Sequence, residues 1–123
     1  MSLVADRCLD AALQVLTSEV NRLDICSSEP TTYTQATSTY TLGNKTSPTV
    51  GSPADAIPNG RKVTVSAITN GTVTGTGTAG YWALVDTSNS RLLAAGPLSA
   101  TQAVTSGNTF TLTAFDVRIP DAA

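Results

Sequence analysis

Four groups of residues in this chain have types that could do chemistry. Gly75-Thr76-Gly77-Thr78-Ala79-Gly80 has the G-x-G-x-x-G spacing that lets a backbone approach a pyrophosphate. Asp6 and Asp10 stand one turn apart on a helical pattern, a carboxylate pair with the right chemistry for a cation. Asp86-Thr87-Ser88-Asn89 opens like a calcium loop. Cys8 and Cys26 are the two thiols.

The surroundings of each group argue against that chemistry. A dinucleotide fingerprint needs its glycines at a strand-to-helix turn, where the helix N-terminus meets the phosphates. Here Gly80 runs into Tyr81-Trp82-Ala83-Leu84-Val85, a strand-like stretch, and no long helix is expected after residue 20. Packing explains the glycines better. Val73, Gly75 and Gly77 would form a bare strip on one face, covered from a neighbouring strand by Trp82 or Tyr81. Thr72, Thr74, Thr76 and Thr78 would face outward.

The aspartate pair reads as a solvated helix face. The Asp86–Asn89 segment lacks the third acidic ligand, the glycine and the distal glutamate of a calcium loop, and an Asx turn accounts for it. The chain has no histidine, so the commonest general base is missing. Glu19 and Glu29 are far from plausible partners, and Cys26 has no base to activate it. The cysteine spacing fits no zinc or redox motif. Two half-buried thiols acting as small hydrophobes, or a disulfide formed in an oxidising medium, are both open. The expectation is a non-enzyme with no cofactor and no metal.

The elements that hold these residues are mainly β. The chain has 123 residues, enough for one domain. Only 13% of residues are charged, while 21 are Thr and 12 are Ser, so hydroxyls build the polar surface. β-Branched threonine suits a half-wet pleated sheet. The net charge of −2 and pI of about 4.7 argue against a nucleic-acid partner. No stretch approaches the length of a membrane span. The N-terminus lacks the pattern of a signal peptide, so export by that route is not expected, and the expected place of work is the bacterial or host cytosol or a particle assembled there.

Residues 3–17 read as an amphipathic helix. Ala5, Leu9, Ala12, Leu16 and Val20 would form its apolar stripe, with Cys8 and Val15 beside it and Ser2 as N-cap. Residues 23–27 alternate as a short strand. Residues 28–59 hold four of the six prolines and few aliphatics; they read as a long extended arm, with one helical turn at Thr31–Gln35 and a short strand at 39–42. The arm is the expected intersubunit contact, anchored by Tyr33 and Tyr40 with Pro30, Leu42 and Pro48. The same chemistry would also let both tyrosines pack under their own loop.

Residues 60–120 read as the sheet core. Residues 61–67 alternate, and Asn70-Gly71 signals a hairpin turn. Tyr81–Asp86 is apolar on both faces, the mark of a central strand. Arg91–Ala95 returns until Gly96-Pro97 breaks it, and Ser106–Asn108 turns into the last strand. There Phe110, Leu112 and Ala114 are in one phase, and Phe115, Val117 and Ile119 in the other. That switch predicts a bulge or bend at Ala114-Phe115, and Pro120 ends the strand.

Four segments carry a likeness: ICSSEPTTYTQATSTYTLG (25–43), NGRKVTVSAITNGTVTGTGTAGYWALVD (59–86), SRLLAAGPLS (90–99) and AVTSGNTFTLTAFDVRIPD (103–121). With the helix before them, they resemble a family of small proteins encoded in the structural modules of tailed bacteriophages and prophages. The resemblance implies a virion component and brings no catalytic residues. It implies a head decoration or cement protein on the capsid lattice, with the major capsid protein and further copies of itself, as a trimer, for partners. A tail or head–tail connector component is the alternative. A carbohydrate-binding module would need more exposed aromatics than this chain supplies.

The expectation is thus a single mainly-β domain over 1–123, a β-sandwich or barrel-like sheet of about six to eight strands. One N-terminal amphipathic helix would pack on it, and a long arm would extend from it.

Overall fold

A computed structural model describes residues 6–55 and 60–119, with side chains from residue 10 onward apart from those of Asp55 and Ile119. The protein is mainly β, as its threonine-rich alternation requires, with a six-stranded antiparallel sheet curled into a half-barrel. In chain order the elements are α1 (Asp6–Glu19), β1 (Arg22–Cys26), β2 (Thr41–Thr46), β3 (Ala54–Asp55), β4 (Arg61–Val65), β5 (Ile68–Val73), β6 (Gly77–Asp86), β7 (Arg91–Val104), β8 (Thr109–Leu112) and β9 (Phe115–Ile119). The large sheet has the order β7-β6-β1-β2-β5-β8, and a small sheet has the order β3-β4-β9. The small sheet and α1 fill the inside of the half-barrel. Leu13 and Leu16 of the helix, Val63 and Val65 of β4, and Leu23, Ile25, Trp82, Leu84, Phe110 and Leu112 of the large sheet form one buried cluster.

The helix ends at Glu19, later than its pattern suggests, and its buried face is rotated; the expected start at residue 3 lies outside the described residues. Leu13 and Leu16 are buried, whereas Ala12 and Val15 are exposed. The cap at Ser2 lies outside the described residues, as do the side chains of Cys8 and Leu9. What fixes the helix's rotation is the small sheet. Asp10 accepts from Arg61 Nε at 2.6 Å, and Thr17 Oγ1 donates to Gly51 O at 2.8 Å. Asp10 is therefore an ion-pair partner on the helix face that meets β4, and not a solvated charge.

The expected arm is a correction. The described part of this segment, residues 28–55, does not stand off the domain. β2, drawn from its middle, lies between β1 and β5 in the large sheet. The helical turn at Thr31–Gln35 does form. Gln35 Oε1 accepts from Thr31 N at 2.8 Å, and Thr32 Oγ1 accepts from Gln35 N at 3.1 Å, an offset capping box whose return bond reaches the residue before the capping threonine. The turn then widens over Gln35–Thr39, where Tyr40 N donates to Gln35 O five residues back.

The hairpin at Asn70-Gly71 is a second correction. Both residues lie inside β5, and β4 and β5 belong to different sheets. The chain changes sheets at Ser66-Ala67 instead. Gly96-Pro97 does not end the return strand either; β7 runs through it to Val104. Proline is tolerated there because β7 is an edge strand.

Other expectations agree with the structure. β6 is central, flanked by β7 and β1, and its last five residues, Trp82–Asp86, are all buried. The phase switch at Ala114-Phe115 is a change of sheet: β8 pairs with β5 in the large sheet and β9 with β4 in the small one. Phe115 thereby reaches Trp82, with ring centroids 4.6 Å apart, and this aromatic contact ties the two sheets together. The end at Pro120 lies outside the described residues.

Candidate functional site

The glycine motif sits on strand structure. Gly77 opens β6, and a Cβ there would meet the Leu42 methyls at 3.3 Å, while one at Gly75 would lie 3.6 Å from the same side chain. The strip is thus covered by Leu42 from β2, and not by Trp82 or Tyr81. Trp82 instead lies over Gly96, its cross-strand neighbour on β7, where a Cβ would fall 2.8 Å from the ring. Thr72, Thr74, Thr76 and Thr78 are exposed, as their alternation requires. Because the atoms nearest Gly75 and Gly77 are the mobile end of a leucine, Gly75→Ala and Gly77→Ala are each expected to change stability by less than about 1 kcal/mol in urea unfolding. A loss of several kcal/mol from either would mean that the strip is tighter than Leu42 makes it.

The acidic groups are engaged in structure. Asp86 Oδ1 accepts from Ser88 N at 3.0 Å and Oδ2 from Asn89 Nδ2 at 2.7 Å, an Asx turn that ends β6. The Asn89 side chain, then the backbone N–H groups, hold the Asp86 carboxyl below its ordinary range. Asp116 takes hydrogen bonds from Thr64 Oγ1 (2.7 Å) and Lys62 Nζ (3.2 Å), and the same two partners, Thr64 first, lower its carboxyl. Among the described residues no three His, Cys, Asp or Glu side chains converge in a metal-holding group.

The outer face of the large sheet carries a second apolar cluster. Alternation turns Leu23 and Ile25 inward, and Asp24 and Cys26 outward. Cys26, Ala36, Ala83 and Val85 form the buried base, and Tyr33, Tyr40, Tyr81, Leu92 and Ala95 pack around it, each half-buried. Tyr33 and Tyr40 are therefore brought together, on the helical turn that leans against β1. Tyr81, Leu92 and Ala95 complete the patch; the doubly apolar reading of residues 81–86 contained that signal, since Tyr81, Ala83 and Val85 share one face. The other expected anchors lie elsewhere. Pro30 is buried within the fold, Leu42 packs on the inner cluster, and Pro48 is half-buried beyond the end of β2.

Beneath the patch, Asp24 is fully buried yet fully partnered. Arg22 Nε and Nη2 donate to its two oxygens at 2.7 and 2.8 Å, and Thr41 Oγ1 donates at 2.8 Å. The bidentate hydrogen bond to Asp24 raises Arg22 above its usual value against the cost of burial. Cys26 is a free buried thiol whose Sγ donates to Ala36 O at 3.6 Å. It faces outward while α1 packs inside the half-barrel, so the cysteine and the helix that bears Cys8 are on opposite sides of the sheet.

Burial, with a smaller push from Asp24, drives the Cys26 thiol up to about 12. Its thiolate is therefore suppressed in the folded state. Near about pH 8 iodoacetamide is expected to label Cys26 far more slowly in the folded protein than in urea, read site by site by mass spectrometry. Equal rates would place the thiol in water. Because the folded value lies above the free-thiol value of 9.0, the stability tied to this group is intact below 9 and is lost as pH rises toward 12.

No helix among the described residues is long and apolar enough to cross a membrane. No protein-family model matches the chain, and neither does any curated protein or solved structure.

Proposed function

We propose that this chain is a structural protein of a tailed-bacteriophage virion, one that decorates the head and cements neighbouring capsid subunits. The reading starts from the likeness of residues 25–43, 59–86, 90–99 and 103–121 to that class of protein. The observation that carries it is the outer patch of Tyr33, Tyr40 and Tyr81 with Leu92 and Ala95. Tyr81 on the sheet, with Tyr33 and Tyr40 on the turn packed against it, offers large apolar area with hydroxyl tips. The chain as a whole is poor in charge, which suits a surface that neighbours close over without stripping water from many ions. The work done is burial of area, repeated over many copies. Symmetric lattice positions favour a trimer, with the major capsid protein as the second partner.

Purified protein added to undecorated heads is expected to bind them and raise their melting temperature. Tyr33→Ala with Tyr40→Ala is expected to weaken that binding by about tenfold or more while the isolated protein keeps its circular dichroism spectrum. No binding and no shift would remove the cement reading. Recovery of the protein in tails separated from heads would move it to the tail or the head–tail connector.

A further inference from the structure

The two outer strands of the half-barrel come together at one end and part at the other. The turn at Thr105–Asn108 joins β7 to β8, closed by Asn108 N donating to Thr105 O at 3.0 Å. Its register would set Gln102 opposite Thr111. There the ladder is replaced by a side chain: Gln102 Nε2 donates to Thr111 O at 2.6 Å. Beyond that bridge the strands diverge, and among the described residues no ladder joins β7 to β8. On β7, residues 98–101 also leave β6. The pairing jumps from Tyr81↔Pro97 to Ala79↔Gln102, so four residues arch away opposite Gly80 alone. A cleft of about 670 Å³ lies between this arch and the β8–β9 crossover, with Trp82, Leu98, Leu112 and Phe115 in its walls.

We propose that this cleft binds an extended, uncharged segment of a partner polypeptide, added as a strand along the arch of β7 and facing Leu112–Ala114 at the β8–β9 crossover. This stands apart from the virion reading and uses a different surface from the tyrosine patch. One wall of the cleft is the arch of β7, an edge strand whose residues 98–101 have left β6, and such an edge presents backbone N–H and C=O groups at strand spacing. A small apolar molecule would bury those groups unpaired, at a cost comparable to the contact it gained. A chain brings its own donors and acceptors at the matching spacing and sets alternate side chains on the apolar floor. The arch is four residues long, about 13 Å of extended chain, and the cavity is within the roughly 300–1,000 Å³ usual for binding sites.

Charge selects the occupant further. Among the described residues, Asp116 is the one charged residue in the cleft wall, and Thr64 and Lys62 already engage it. Among the same residues no cation lines the wall to receive an acidic segment.

The test is a random seven-residue peptide library panned on the intact protein and counter-selected on Leu98→Glu. Enriched peptides are expected to alternate apolar residues and to lack Asp and Glu. A synthetic enriched peptide should shift the amide resonances of residues 98–101 and 111–114. Methylating its alternate backbone nitrogens should weaken binding by about tenfold or more. Should Leu98→Glu not fold, Ala100→Glu, on the exposed rim, takes its place in the counter-selection.

Enrichment no greater than on the variant would overturn the proposal. So would binding indifferent to N-methylation, which would make the cleft a simple apolar pocket. Self-association of the unmodified chain that the glutamate abolishes would give the cleft to a second copy and overturn it too. Each outcome is read on isolated protein, so it is separable from success or failure on phage heads.

Discussion

Arg22→Met is expected to cost about 3 kcal/mol of stability, read as a lower urea midpoint at unchanged slope. The reason is Asp24. Its carboxylate is fully buried on the outer face of β1, and two of its three side-chain hydrogen bonds come from Arg22. Methionine keeps the apolar stem of the arginine and removes both donors. The carboxylate is then left with Thr41 alone, and an unpaired buried charge is among the costliest defects a domain can carry. The figure is set at the low end for a broken buried pair because the Arg22 side chain is 23% exposed, so water can replace part of what is lost. Arg22→Met with Asp24→Leu should recover most of the loss, since the pair is then replaced by apolar volume and Thr41 retains Gly43 O at 3.2 Å. If the single variant is as stable as the parent, Asp24 is not enclosed as described. The pair also lies under the tyrosine patch. Losing it should loosen the patch as well as the sheet.

The sequence announces elements whose own side chains decide their environment. β6 is legible because Trp82, Ala83, Leu84 and Val85 supply apolar groups to both faces, which only a central strand can bury. The sheet change at Ala114-Phe115 is legible because a phase flip has few other physical causes. β2 is legible only at its start, where the short strand expected at 39–42 overlaps it. Gly43-Asn-Lys-Thr46 has no alternation, and it is a strand because β1 and β5 supply hydrogen bonds on both edges and side chains from elsewhere cover it. The helix face was misjudged for a similar reason: Leu13 is buried by β4 and the Asp10–Arg61 pair, which no local period encodes. Of the candidate site, Tyr33 and Tyr40 could be picked out by type, but their union with Tyr81 depends on the turn packing against the β1–β6 pair. The cleft was invisible because it is made by two strands separating, and divergence leaves no mark in composition.

Gly71 shows the same limit most sharply, and it makes the second large prediction. Asn-Gly is a strong turn signal because both positions accept a left-handed backbone. Gly71 does not use that freedom; its φ is outside the left-handed region, and it pairs with Phe110 across β5 and β8. A Cβ at Gly71 would fall 2.2 Å from the Phe110 ring. The ring cannot easily retreat. It is 2% exposed, and Gly43 of β2 bounds it as well, where a Cβ would be 3.3 Å from Cε1. The glycine is thus a seat for an aromatic ring. Gly71→Ala is therefore expected to destabilise the protein by about 3 kcal/mol through overpacking. Phe110→Leu alone should cost about 1–2 kcal/mol for lost buried area. Combined, the two should cost clearly less than their sum, because leucine vacates the space the new methyl needs. A turn glycine would behave otherwise: Gly71→Ala would then cost about 1 kcal/mol, and Phe110→Leu would add to it without coupling. Urea unfolding of the four proteins in that cycle separates ring seat from hairpin turn, and strict additivity would return Asn70-Gly71 to the turn its letters suggest.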